Sequence, residues 1–172
     1  MRLAALFASL TFLYACAPQN APEDQSNAPA PARPVSAAKA SEIKAGVASL
    51  LRNWASAQEQ GRWDEVKSLY ADDPNFYWVE RGALAYADHD AIVAGLDQVT
   101  SMNATIKNRL GDIAVTPLAD DAASFRAHLD IDFTSDQFSF SMSGMLTGVT
   151  VLRDGRWVFL QGNLARTQTG GE

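Results

Sequence analysis

The chain has 172 residues, of which 47% are hydrophobic and 20% charged, with a formal net charge of −6. That length suits one compact domain plus a tail, and the acidic balance without any basic run excludes a nucleic-acid partner, because phosphate binding needs clustered Lys and Arg. A single cysteine leaves neither an intramolecular disulfide nor a cysteine-based zinc site, and His89 and His128 are too far apart for an HExxH pair, so no metal and no cofactor is expected.

Arg2 gives the amino end a short positive start, and Leu3 to Ala15 then runs without a charge. Thirteen apolar or small residues cannot span a hydrocarbon layer of about 30 Å as a helix, but they match the apolar region of a signal peptide with Ala15 as the small residue before the cut. Leu13-Tyr14-Ala15-Cys16 resembles a bacterial lipobox, with Tyr14 bulkier than the usual small or β-branched residue. That resemblance implies cleavage before Cys16 and acylation of its sulfur and new amine. Acyl chains contribute about 0.8 kcal/mol per buried methylene, so two or more anchor stably. An ordinary cleaved signal with an incidental cysteine is the alternative. Ala17 is not the acidic residue associated with inner-membrane retention, so the resemblance places a bacterial lipoprotein at the outer membrane facing the periplasm. The Pro/Ala-rich stretch 17–38 has almost no large apolar residue to offset its ordering entropy and reads as a disordered tether, reaching roughly 60 Å at about 3.1 Å per residue. The expected division is a signal peptide over 1–15, a tether over 16–37, a folded domain over 38–168 and a disordered tail over 169–172.

Ile43, Val47, Leu50, Leu51 and Trp54 recur at steps of three and four, one face of an amphipathic helix, with Lys44, Arg52, Asn53 and Gln58 falling largely off it. Gly61 suits a helix stop. A short second helix places Trp63, Val66, Leu69 and Tyr70 on one side, and the Asp-Asp-Pro of 72–74 breaks it. Phe76 to Gly82 is aromatic and β-branched, hence a strand. Asp88 to Val99 reads as a helix capped by Asp88 or Asp90, with Ile92, Val93, Leu96 and Val99 as its buried stripe. From Ile106 the pattern is all strand. In 122–134, Phe125, Ala127, Leu129, Ile131 and Phe133 take one face, while Ser124, Arg126, His128, Asp130 and Asp132 take the other. Strand 138–152 turns at Asp154-Gly155 into a returning strand from Trp157. Helices gathered on one side of a curved antiparallel sheet make an α+β domain. No internal repeat is visible.

The tryptophan-bearing first helix, the stretch from Gly61 to Gly82, the helix of 88–96 and the closing hairpin around "DGRW" resemble the nuclear transport factor 2-like superfamily in its SnoaL-like branch. The resemblance covers roughly Ser41 to Thr167. It implies a cone-shaped roll: a bent sheet wrapped around about three helices, with a pocket at the open end. Members of that superfamily include isomerases, dehydratases and cyclases of small hydrophobic ligands, beside proteins that only bind ligands or partners, so fold alone selects no function.

Alternation puts Trp157, Phe159, Gln161 and Asn163 on one face of the last strand, with the two aromatics pointing inward and the two amides continuing toward the open end. Many relatives carry histidines there; amides bind by hydrogen bonds but do not serve as acid or base near neutral pH. The other reading of Gln161 and Asn163 is a fraying strand end in solvent. Glu80 shares a row with Phe76 and Trp78, where a carboxylate against aromatic rings would have its charged form disfavoured, as a general base on a carbon acid requires. Alternatively Glu80 sits at a strand end and meets solvent or Arg81. The ligand-binding set is therefore Trp78, Glu80, Trp157, Phe159, Gln161 and Asn163. Arg126, His128, Asp130 and Asp132 belong on the outer, solvated face or in a homodimer contact, and Asp88, His89 and Asp90 are a helix start rather than a metal cluster. All four tryptophans are expected in the core. The leading functional expectation is a lipid-anchored envelope protein that binds a small apolar ligand or a partner without catalysis. The alternatives are an isomerase, dehydratase or hydrolase with Glu80 as base, and a scaffold dimerising through its sheet.

Overall fold

A computed structural model describes residues 34–166. The expected signal peptide, Cys16, nearly all of the tether and the short tail lie outside the described residues. Helix α1 (Ala37–Glu59) starts at Ser36, whose hydroxyl accepts from the Lys39 N–H at 3.2 Å. Its stripe of Ile43, Val47, Leu50, Leu51 and Trp54 is buried as the spacing predicts, but Gln58, four residues after Trp54, is buried too. Gly61, with φ of +65°, turns the chain after the helix. Helix α2 (Trp63–Ser68) leads to Tyr70, which bridges to Phe159.

Strand β1 (Tyr77–Glu80) and strand β2 (Ala83–Tyr86) form a hairpin with Glu80 opposite Ala83. Its two loop residues, Arg81 and Gly82, have φ of +54° and +78°, the signature of a type I′ turn. Helix α3 (His89–Ser101) follows; Asp88 is its cap, accepting from the Ala91 N–H at 2.8 Å. Strands β3 (Thr105–Ala119), β4 (Ala122–Thr134), β5 (Ser139–Arg153) and β6 (Arg156–Arg166) complete a six-stranded sheet in the order β2-β1-β6-β5-β4-β3. The fold is the expected α+β roll, but the sheet is mixed: β1 runs parallel to β6, and every other pair is antiparallel. Strand β2 is absent from the sequence reading because four residues between Gly82 and a helix cap carry too little alternation. The parallel pair is illegible for a related reason. Periodicity reports which face a residue occupies, not which strand lies beside it.

Of four register shifts in the strand pairs, one lies within β3 and one within β6, away from the strand ends. On β3, Gly111 and Asp112 together stand opposite the single residue His128, between Leu110, opposite Leu129, and Ile113, opposite Ala127. On β6, Leu160 is inserted between Phe159, opposite Thr150, and Gln161, opposite Val149. Each extra residue shifts the inward and outward alternation beyond it and adds local twist. Strand β4 has no insertion of its own, and its inward row is Phe125, Ala127, Leu129, Ile131 and Phe133 as expected.

Helix α1 lies against the inner face of β3. The Asn108 backbone N–H donates to Glu59 Oε1 at 2.8 Å, and its side-chain Nδ2 lies 3.3 Å from both Ala55 O and Gln58 Oε1. Phe159, fully buried, is the hub of the core. Its ring meets Trp54, Tyr70, Trp78 and Phe125 with centroids 5.6–6.0 Å apart, distances typical of favourable aromatic pairs. Trp157 is half-buried over α1, where Gly46 makes room for its indole: a Cβ there would lie 2.6 Å from the ring.

Candidate functional site

A chamber of about 140 Å³ lies between the helices and the inner face of the sheet. Its walls include Trp54 and Gln58 from α1, Tyr70, Trp78 and Glu80 from the β1 region, and Tyr86 from β2. Helix α3 adds Ile92, Leu96 and Val99, and the sheet adds Ile131, Leu146 and Leu164. Side chains alternate along β1, so Trp78 and Glu80 both face inward, and the adjacent parallel strand brings Leu164 opposite Glu80.

A wider hollow of about 430 Å³ adjoins the chamber and shares Glu80 and Leu164 with it. Phe138, Phe140 and Met142 form its apolar wall, and Arg81 and Arg166 lie at its margin. Phe138 and Phe140 are 49% and 38% exposed, although their rings stack with that of buried Phe133 at centroid distances of 5.4 and 5.1 Å. Glu80 therefore stands at the junction of a small aromatic-lined chamber and a wider vestibule.

Burial pushes the Glu80 carboxyl above the usual glutamate range, with the Arg81 charge and a contact from the Trp78 side chain working the other way. Tyr86 is raised by burial and by the nearby Glu80 charge. Tyr70 is also raised, chiefly by burial. Its hydroxyl oxygen accepts from Trp54 Nε1 at 2.8 Å. Both tyrosines therefore stay protonated near neutral pH and serve as hydrogen-bond partners rather than as charges.

Of the six residues expected to bind ligand, two meet at this site: Trp78 and Glu80. Phe159 and Trp157 are on the inner face but do not line the chamber; one fills the core and the other packs on α1. Gln161 and Asn163 do not continue their row, and the reason is the extra residue Leu160. Beyond it the inward positions are Gly162, beside the Trp78 ring, and Leu164. Gln161 faces away, its Nε2 lying 3.5 Å from Asn75 O, and Asn163 is exposed.

Tyr70, Tyr86, Gln58 and Arg81 are the site residues missing from the sequence reading. Gln58 had a signal, its i+4 spacing from Trp54. Tyr70 already sat on the apolar side of α2. Tyr86 and Arg81 had none, because the β1–β2 hairpin itself was not legible.

The polar row of β4 is on the outer face. His128 Nε2 lies 3.2 Å from Asp130 Oδ1 and 3.1 Å from Ser143 Oγ. Both partners meet the same ring nitrogen, whereas a serine–histidine–acid relay needs them on opposite ones. Arg109 completes this surface network, with Nη1 2.8 Å from Asp132 Oδ2. Among the described residues, no group of three His, Cys, Asp or Glu is placed to hold a metal ion.

A bent mixed sheet closing on helices defines a cone-shaped α+β fold, one that can serve ligand binding or catalysis. Residues 47–165 match the SnoaL-like domain model, and the chain belongs to that family. Solved structures agree on the fold. A candidate scytalone dehydratase from Novosphingobium aromaticivorans is similar at 14% identity and a TM-score of 0.65, over 74% of this chain and 85% of that one. A Caulobacter vibrioides protein with a cystatin-like fold is similar at 18% identity and a TM-score of 0.62, over 74% and 92%. A Catenulispora acidiphila protein in complex with S-DNPA is similar at 17% identity and a TM-score of 0.58, over 73% and 94%. No protein of curated function matches.

Proposed function

We propose that this is a ligand-binding domain for a small, largely apolar molecule, held at the bacterial envelope through acylated Cys16. The observation that carries the reading is the aromatic-lined chamber continuing past Glu80 into a wider hollow. A chamber of about 140 Å³ is close to the roughly 150 Å³ apolar cavity that takes up benzene, so it suits one ring or a short alkyl end, with the rest of the ligand in the vestibule. The ligand-bound Catenulispora acidiphila structure supports binding on this fold. Native mass spectrometry of protein purified from its own membrane tests the reading. A small molecule retained with the folded chain, and lost from a variant with Gly162→Leu, is expected. A chain carrying nothing, which no small apolar molecule stabilises in a thermal melt, would refute it. The anchor has its own test: Cys16→Ser is expected to release the protein from membranes, and unchanged partitioning would remove the lipid.

The enzyme alternative draws on one observation, the grouping of Glu80 with Tyr70 and Tyr86. In that reading Glu80 removes a proton from a carbon acid while a tyrosine hydroxyl donates to the oxygen that gains charge. The scytalone dehydratase candidate among the structural relatives supports keeping it. Turnover of the bound molecule separates the two readings: an enzyme converts it and loses that turnover, though not binding, with Glu80→Gln, whereas a binding protein releases it unchanged with either residue.

A further inference from the structure

We infer that the vestibule selects ligands with an anionic end, such as a carboxylate, on an apolar body, so that the body enters the aromatic chamber and the anion rests between Arg81 and Arg166. The inference rests on the ligand-binding reading above and adds the chemical class.

Three observations support it. First, the vestibule's charged lining is two guanidiniums and one carboxyl, Glu80, which stands at the inner junction. The whole chain carries −6, so a locally cationic mouth reverses the overall sign. Neither Arg81 nor Arg166 has an ion-pair partner within 4.0 Å among the described residues. Guanidiniums match carboxylates in a planar, two-point geometry.

Second, the wall facing these charges is apolar and partly open: Phe138, Phe140 and Met142. Beyond Glu80 at the junction, a ligand running toward the margin therefore meets hydrocarbon and aromatic surface before the two guanidiniums. That order fits an amphiphile with a single terminal anion and does not fit a uniformly polar molecule.

Third, Arg81 occupies a backbone position that suits other residues better. It is the first central residue of a type I′ turn, with φ of +54°, where Asn, Asp or Gly is strongly preferred. The turn gains nothing from an arginine there, whereas the vestibule gains a cation at the end of β1. Backbone strain retained beside a hollow is characteristic of sites that hold a ligand.

The experiment titrates the full chain by calorimetry at pH 7.5 with straight-chain carboxylates, alcohols and alkylammonium ions of six to twelve carbons. In the unmodified protein the carboxylate is expected to bind about tenfold more tightly than the alcohol of equal length, and the difference should shrink as salt is raised. In the double variant Arg81→Asn with Arg166→Gln that preference should disappear, while Arg81→Lys should retain part of it. Arg81→Asn alone is expected to raise the melting temperature by a few degrees as it weakens carboxylate binding, a split that no purely structural role for Arg81 would produce. Equal binding of alcohol and carboxylate overturns the inference and leaves the pocket reading standing. Tighter binding of the alkylammonium ions also overturns it, with Glu80 as the selecting group. Failure of all three series to bind overturns the pocket reading and the inference together.

Discussion

Truncating Phe159 would remove the one ring that touches Trp54, Tyr70, Trp78 and Phe125 together. Phe159→Ala is expected to cost about 3–5 kcal/mol in urea unfolding, because four surrounding aromatics cannot collapse into the space. Glu80 makes the opposite kind of prediction. Its folded-state affinity for a proton is raised by burial. The stability tied to the protonated form is complete below the ordinary glutamate value of about 4.3 and is lost as pH climbs through the higher folded value. Glu80→Gln should therefore melt above the unmodified protein at pH 7, and the gap should narrow as pH falls toward 4. Melting curves across that range check the sign. Both residues stood out in the sequence, Glu80 as an acidic side chain two residues after Trp78 in a short strand and Phe159 two residues after Trp157 in the last one. Tyr86 did not, because nothing local distinguishes a chamber tyrosine from a surface one.

Elements were most legible where alternation or helical spacing was unbroken. Strand β4 matched its expected faces throughout, and α1 differed only in the fate of Gln58. Where one residue was inserted the reading reversed. Leu160 sent Gln161 and Asn163 outward and brought Gly162 against the Trp78 ring, and no composition signal marks such an insertion. Side-chain accessibility tests the new register: in a chain with Cys16→Ser, a cysteine at Asn163 should react rapidly with a thiol reagent under native conditions, and one at Leu164 should be protected. The helix caps separate just as cleanly. Asp88 accepts from the Ala91 N–H, whereas the Asp90 side chain is fully exposed. Asp88→Ala should cost about 1 kcal/mol and Asp90→Ala a few tenths at most, as measured by chemical denaturation.

At the scale of the molecule, the roll and its helices followed from the order of apolar patterns, and the mixed pairing did not. The chamber owes its existence to that pairing. Trp78 and Glu80 on β1 face it beside Leu164 of β6, so the site is assembled from opposite ends of the domain. The cationic margin was likewise invisible until the hairpin and the last strand were seen together.

The parallel seam between β1 and β6 also governs when the protein becomes competent. Asn75 and Gln161, near one end of that seam, are 86 residues apart in sequence, a separation that makes ring closure slow and late. A nascent chain has β1 early but lacks its neighbour until the final strand arrives. A chain cut after Leu160 would keep every helix and every chamber-lining residue but Leu164, yet β1 would have no parallel neighbour, so the chamber wall closes only with the last strand.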